Sequence, residues 1–113
     1  MHWSHARGEA AELKVLEEMR RRGYQLVRRR LRTPVAELDL VMRSLAEYLI
    51  IEVKSVTARS FLQHRLSARQ KVRLRRGHAW VQDRVRADVR LILATVDEKG
   101  KIELFNLSAA DLQ

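Results

Sequence analysis

Two carboxylates and one amine stand out in this sequence: Asp39, Glu52 and Lys54. Glu52 and Lys54 are two apart in the run Glu-Tyr-Leu-Ile-Ile-Glu-Val-Lys, so on a strand they share a face. Asp39 sits in Glu-Leu-Asp-Leu-Val-Met-Arg, and Ser-Leu-Ala separates the two runs. That pattern is a β-hairpin from Glu37 to Lys54 with Ser44 to Glu47 as its turn. Pairing centred between Leu45 and Ala46 puts Asp39 opposite Glu52 and Glu37 opposite Lys54. Directly opposed carboxylates have Cβ atoms about 5 Å apart. At an effective dielectric of about 20 they repel by roughly 3 kcal/mol. A bound cation, a shared proton or Lys54 could offset this. A hard divalent cation fits best, because Mg²⁺ is commonly held by one or two carboxylates plus substrate phosphates. The bland alternative is a surface salt-bridge group of Glu37, Arg43, Glu52 and Lys54.

The same register sorts the hairpin into two faces. Leu38, Leu40, Met42, Leu49, Ile51 and Val53 form one, wholly apolar and suited to a core. Glu37, Asp39, Val41, Arg43, Tyr48, Ile50, Glu52 and Lys54 form the other.

The elements around the hairpin follow from periodicity and punctuation. Ser4 to Arg22 is predicted as a helix, with Ser4 as N-cap and Gly23 at its stop. Its apolar stripe is expected at Ala6, Ala10, Leu13, Leu16 and Met19, which places Glu9 on the core-facing side. Complementing the helix dipole explains a glutamate early in a helix but not its face. His2 and His5 read as part of a loose terminus. Tyr24 to Arg32 is β-like, with Arg28, Arg29, Arg30 and Arg32 as a basic flank, and Pro34 punctuates before the hairpin. Ser55 to Leu66, with Arg59 and His64, is a long connection able to lie over a bound substrate. Ser67 to about Val85 is the second helix, opened by a Ser67/Gln70 capping box. Leu74, His78, Val81 and Val85 make its buried stripe, broadened by Val72 and Ala79; Arg69, Lys71, Arg73, Arg75 and Arg76 crowd its first half. His78 reads as a core-edge residue. Val89 to Val96 and Lys101 to Leu107 are strands about an Asp97-Glu98-Lys99-Gly100 turn, and Ser108 to Leu112 closes as a short helix. The order is αβββαββ, one α/β (α+β) domain spanning 1–113.

Composition narrows the partner. Lys plus Arg number 23 against 14 Asp plus Glu, a net charge of +9, and most of the cations are arginine. Guanidinium forks suit phosphate, so the excess points to nucleic acid. Aromatic residues are only 5%, too few for an extended base-stacking platform, which favours duplex or junction phosphates over a single strand. With no cysteine, disulfides and thiolate sites are excluded. No apolar run is long enough to span a membrane and no signal-peptide pattern opens the chain, so a cytoplasmic location is expected.

Asp39 followed by Glu52-Val53-Lys54 on a strand, then a helix and a strand, resembles the PD-(D/E)xK nuclease superfamily. Gly8-Glu9, Gly23-Tyr24, Ala36-Glu37-Leu38-Asp39-Leu40-Val41 and Ile51-Glu52-Val53-Lys54 resemble the YraN family within it, endonuclease-like proteins related to archaeal Holliday-junction resolvases. The similarity covers most of residues 7 to 85. It implies a restriction-endonuclease-like core, a mixed central sheet flanked by helices. It implies Mg²⁺ or Mn²⁺ held by Asp39, Glu52 and the Val53 carbonyl, with Glu9 completing the acidic cluster directly or through water. Lys54 would orient the attacking water and stabilise the charge that develops on the phosphate. Gln70 and Lys71 match a region where related nucleases contact phosphate or water. Arg28, Arg29, Arg30, Arg32, Arg59, Arg69 and Arg73 supply the remaining basic surface for nucleic acid. The sequence departs from the family at Ala36, where glycine is usual, at Val56, where a basic residue is common, and in the loop from Ser55 to Leu66.

The expected function is metal-dependent hydrolysis of DNA phosphodiesters, selective for branched or junction structures. The alternative is a non-catalytic nucleic-acid-binding module on the same fold, and a third reading is a basic RNA- or ribosome-associated protein. A homodimer is the assembly junction resolvases use, and Lys101 to Leu107 offers an edge for one, although an edge covered within a monomer fits equally.

Overall fold

The computed structural model describes residues 3–57 and 66–113, with side chains from residue 8 onward. Its elements are α1 (Trp3–Arg21), β1 (Gln25–Arg32), β2 (Glu37–Arg43), β3 (Glu47–Ser55), α2 (Ala68–Gln82), β4 (Asp88–Val96) and β5 (Ile102–Leu107), followed by a 3-10 turn at Ala110–Leu112. This is the expected αβββαββ order. The expected connection from Ser55 to Leu66 shortens at its start, because β3 runs through Ser55 and the Val56 N–H still reaches the Val96 carbonyl at 2.9 Å. The readings of Arg59 and His64, and the loop's place over a substrate, lie outside the described residues, as does His2.

The five strands form one sheet in sequence order, β1-β2-β3-β4-β5. Neighbours are antiparallel except β3 and β4, which run parallel. A parallel pair needs a crossover, and α2 supplies it across one face of the sheet. α1 covers the other face. Ala11, Val15, Leu16 and Met19 of α1 pack on Leu40, Met42, Leu49, Ile51, Ile92 and Ala94. Leu74 and Val81 of α2 pack on Leu38, Val41, Ile50, Val89 and Leu91. Both faces of the hairpin are therefore buried, and Val41 and Ile50 on the mixed face lie under a helix.

The hairpin adopts the expected register: Leu40 pairs with Ile51, Val41 with Ile50, Met42 with Leu49 and Arg43 with Tyr48. Ser44 fastens the turn, its hydroxyl accepting the Ala46 N–H at 3.1 Å and its own N–H reaching the Glu47 carbonyl at 2.9 Å. Alternation fails at one place. Leu38 belongs to the α2 core, not to the face of Leu40 and Met42. The paired ladder with β3 ends at Leu40 and Ile51, and beyond it the Asp39 carboxylate, not a backbone carbonyl, accepts the Val53 N–H at 2.9 Å. On the other side of β2, Arg30 lies between the pairs Arg29–Leu40 and Leu31–Leu38 with φ 51°. A left-handed arginine in a strand turns the local pleat, so residues on either side of it no longer keep strict parity.

Two further stripes differ from expectation. α1 buries Ala11, Val15, Leu16 and Met19, while Ala10 and Leu13 are exposed. The buried arc is rotated by about a third of a turn, and it carries Glu12 where Glu9 was expected. α2 buries Gly77 and exposes Ala79, because Leu38 of β2 approaches the helix at Gly77. α1 begins at Trp3, so Ser4 lies inside the helix and is not its N-cap, His5 belongs to the helix and not to a loose terminus, and α2 ends at Gln82, short of Val85. The C-terminal end of α1 behaves as its sequence requires. Gly23 takes φ 95° and the Tyr24 N–H returns to the Met19 carbonyl at 3.0 Å, a left-handed stop. Far from the carboxylates, Arg90 of β4 donates twice to Glu47 at 2.8 Å and once to Asn106 at 2.9 Å, tying β3, β4 and β5 together.

Candidate active site

Asp39 and Glu52 meet where β2 and β3 part. β3 carries Glu52 toward α2 because Ile50, two residues earlier, already faces that helix. Glu52 is only 4% exposed. Its Oε2 accepts from Nη2 of Arg73 on α2, while its Oε1 is buried with no hydrogen-bond partner. Burial, and next the Asp39 charge, push the Glu52 carboxyl up from 4.5 to about 7, against the opposing pull of Arg73. Asp39 is held in place by the Val53 N–H, and Glu52 by the Arg73 side chain.

Lys54 continues the same face of β3. Its Nζ donates to Gln70 Oε1 at 3.0 Å. That oxygen also accepts the Ser67 N–H at 2.8 Å, as half of the capping box that starts α2. One glutamine thus opens the helix and holds the lysine. The expected capping box is present, with Ser67 Oγ accepting the Gln70 N–H at 3.1 Å.

Glu12 of α1 forms a third acidic position on the other side of Asp39. It is 8% exposed. Burial raises its carboxyl most, and nearby Asp39 raises it further, while Arg30 and Arg29 oppose the shift. Arg30 Nε donates to Glu12 at 3.3 Å, and Arg29 Nη2 lies 3.7 Å from the same oxygen. Arg30 also pairs with Glu9 at 3.3 Å, and the Glu9 side chain is 47% exposed. Glu9 therefore stands at the rim with Arg30, not on the core-facing side, and Glu12 is the helix acid that senses Asp39. Glu12 lies three, four and seven residues before Val15, Leu16 and Met19, but only packing selects that stripe over the one through Ala10 and Leu13, so spacing alone did not single it out.

Among the described residues, no three His, Cys, Asp or Glu side chains gather closely enough to hold a metal as a protein-only cluster. Asp39 and Glu52 are a pair, with the Val53 backbone beside them through its N–H to Asp39. The basic residues divide into three groups. Arg29 and Arg30 face inward onto Glu12, and Arg32 lies 3.4 Å from Glu37. Arg28 and Arg69 are exposed. Lys71 and Arg75 reach the C-terminal turn, donating to the Gln113 and Leu112 carbonyls at 3.3 and 2.9 Å. Arg73, expected only as a surface cation, is the residue sequence spacing did not connect to Glu52. His78 donates to the Val89 carbonyl at 2.8 Å, a core-edge role.

The profile of the uncharacterised protein family UPF0102 matches residues 11–92. The chain belongs to UPF0102. This is the YraN family that the motifs resemble. The UPF0102 match contains Glu12, Asp39, Glu52, Lys54, Gln70 and Arg73, and it begins after Glu9. A UPF0102 protein of Ruegeria pomeroyi is 39% identical over 105 residues, covering 89% of this chain and 85% of the relative. UPF0102 proteins of Shewanella amazonensis and Parvibaculum lavamentivorans are 39% and 38% identical, covering 61% and 64% of this chain and 66% and 54% of their own lengths.

Proposed function

We propose that this UPF0102 protein is a metal-dependent endonuclease that hydrolyses DNA phosphodiester bonds, with branched or junction DNA as its preferred substrate. The observation that carries the reading is Glu52 Oε1, a buried carboxylate oxygen with no donor beside a second carboxylate. A divalent cation would satisfy that oxygen and offset the repulsion at once. Two carboxylates and the Val53 carbonyl fit a hard ion such as Mg²⁺ or Mn²⁺, which keeps its remaining positions for water and phosphate. When bound, such an ion acidifies a water and neutralises charge on the phosphate.

The chain's own groups do the rest. The Val53 N–H fixes the Asp39 carboxylate, so the acid needs no reorganisation when it takes up its ligand. Lys54, held by Gln70, presents an ammonium on the same face as Glu52 and donates to the phosphate oxygens as negative charge grows on them. α2 brings Gln70 and Arg73 to the two strand residues from a single helix. Glu9, paired with Arg30 at the rim, would complete the acidic group directly or through water.

The test is cleavage of duplex, flap, single-stranded and four-way-junction DNA with Mg²⁺ or Mn²⁺. Lys54→Ala should lower the rate by about 10²-fold or more, as loss of one preorganised donor does. Cleavage equal in wild type and Lys54→Ala would contradict the assignment. One observation favours the binding-module alternative: Arg73 already supplies a positive charge to Glu52. That alternative expects salt-sensitive DNA binding with no cleavage under either ion.

A further inference from the structure

Arg73 belongs to two surroundings. Its Nη2 donates to Glu52, and its side chain also lines an open groove of about 530 Å³ between α2 and the β1–β2 turn. Val35, Ala36 and Val72 give the groove an apolar floor, and Arg69, Arg73 and Arg76 line it as well. Spacings of four and three set these arginines along one side of the helix. No carboxylate lines the groove, and among the described residues neither Arg69 nor Arg76 makes an ion pair. Three guanidinium forks over a small apolar floor suit a nucleic-acid backbone, whose phosphates take the forks while its sugars rest on the valines.

The Arg73–Glu52 pair is itself incomplete. Arg73 Nε is buried without an acceptor, and Glu52 Oε1 is buried without a donor. Each partner leaves the other with one unmet hydrogen-bonding position, which is costly at such burial. A cation on Glu52 and a phosphate on Arg73 would satisfy both.

We propose that Arg73 is an exchangeable counterion: it neutralises Glu52 while no cation is bound, and passes to a backbone phosphate in the α2 groove when a divalent cation takes Glu52. This rests on the cation reading above. Arg73 is then a positioning residue that links two ligands. Each ligand releases the group the other binds, so by linkage each tightens the other.

The test is calorimetric titration of Mn²⁺ into the full chain at mildly alkaline pH, with and without a short DNA duplex and with the duplex blank subtracted. Wild type should bind Mn²⁺ at least about 5-fold tighter when duplex is present. Arg73→Gln should bind Mn²⁺ tighter than wild type without DNA, by a similar factor, and lose most of the gain on adding DNA. Arg73→Met is made in parallel, and whichever variant keeps the wild-type circular dichroism carries the comparison. Arg76→Gln should weaken duplex binding and leave the DNA-free Mn²⁺ affinity unchanged. Mn²⁺ binding that DNA does not tighten, or that is no tighter in the Arg73 variants, overturns the proposal while the Asp39–Glu52 site stands. No Mn²⁺ binding in any protein, with or without duplex, overturns both.

Discussion

Glu52 is the residue whose ionisation the fold works against. Its carboxyl titrates at 4.5 in an unperturbed chain and is pushed up to about 7 here, chiefly by burial and then by Asp39. The folded protein therefore holds an extra proton between those two values. The resulting stability is fully present below the unfolded value and is lost as pH rises through the folded one, amounting to about 3 kcal/mol across the window. Denaturation in chelator from acid to mildly alkaline pH should show this decline, and Glu52→Gln should flatten it, because glutamine mimics the protonated acid. A variant with an undiminished slope would place the titrating group elsewhere. Asp39 has a second duty, as the acceptor for the Val53 N–H. Asp39→Asn keeps an acceptor, so it should retain about 1 kcal/mol more stability than Asp39→Ala. Equal stabilities by urea denaturation would remove the backbone anchor from the account. At this scale the motif residues were legible as a spacing, since strand geometry fixes Glu52 and Lys54 on one face. Glu12 and Arg73 were not. Their roles depend on how far each helix is rotated over the sheet, which is decided by Val15 and Met19 on one side and by Leu38 against Gly77 on the other.

α2 is the element that joins folding to the site. Its capping box uses Gln70 Oε1, and the same atom accepts from Lys54. Ser67→Ala should cost about 1 kcal/mol through loss of the cap alone. Gln70→Ala should cost more and also remove the Oε1 contact that positions Lys54, so its effect on activity should exceed that of Ser67→Ala. Equal losses of activity in the two variants would mean that the cap, not the lysine contact, matters. Gly77 sets how closely the helix lies on the sheet: a Cβ there would meet Leu38 Cδ2 at 2.6 Å. Leu38 is 1% exposed and has little room to move, so Gly77→Ala should destabilise by about 1 kcal/mol despite alanine's better helix propensity. A stabilised Gly77→Ala would show that Leu38 yields. The elements were readable from sequence because their signals are local: Ser67 with Gln70, Gly23 after a periodic run, and the alternation about Ser44 to Glu47. The face of Leu38 was not, because a side-chain bond from Asp39 and the left-handed backbone of Arg30 break the alternation.

Over the whole chain, a +9 charge sits on a fold that spends part of it internally. Arg29, Arg30, Arg73 and Arg90 pair with buried or half-buried acids, so in the proposed reading Arg69 and Arg76 of the α2 groove and exposed positions such as Arg28 remain to meet a polyanion. No helix among the described residues is long and apolar enough to cross a membrane. Family membership fixes the relatives, and the proposed activity rests on the carboxylate pair. The most direct measurement is calorimetric titration of Mn²⁺ into wild type and Asp39→Ala, each checked by circular dichroism and repeated with a DNA duplex present. Binding by wild type that disappears in a folded Asp39→Ala is the predicted result. Equal binding by both proteins, or none by either even with DNA, would contradict a cation site at Asp39 and Glu52.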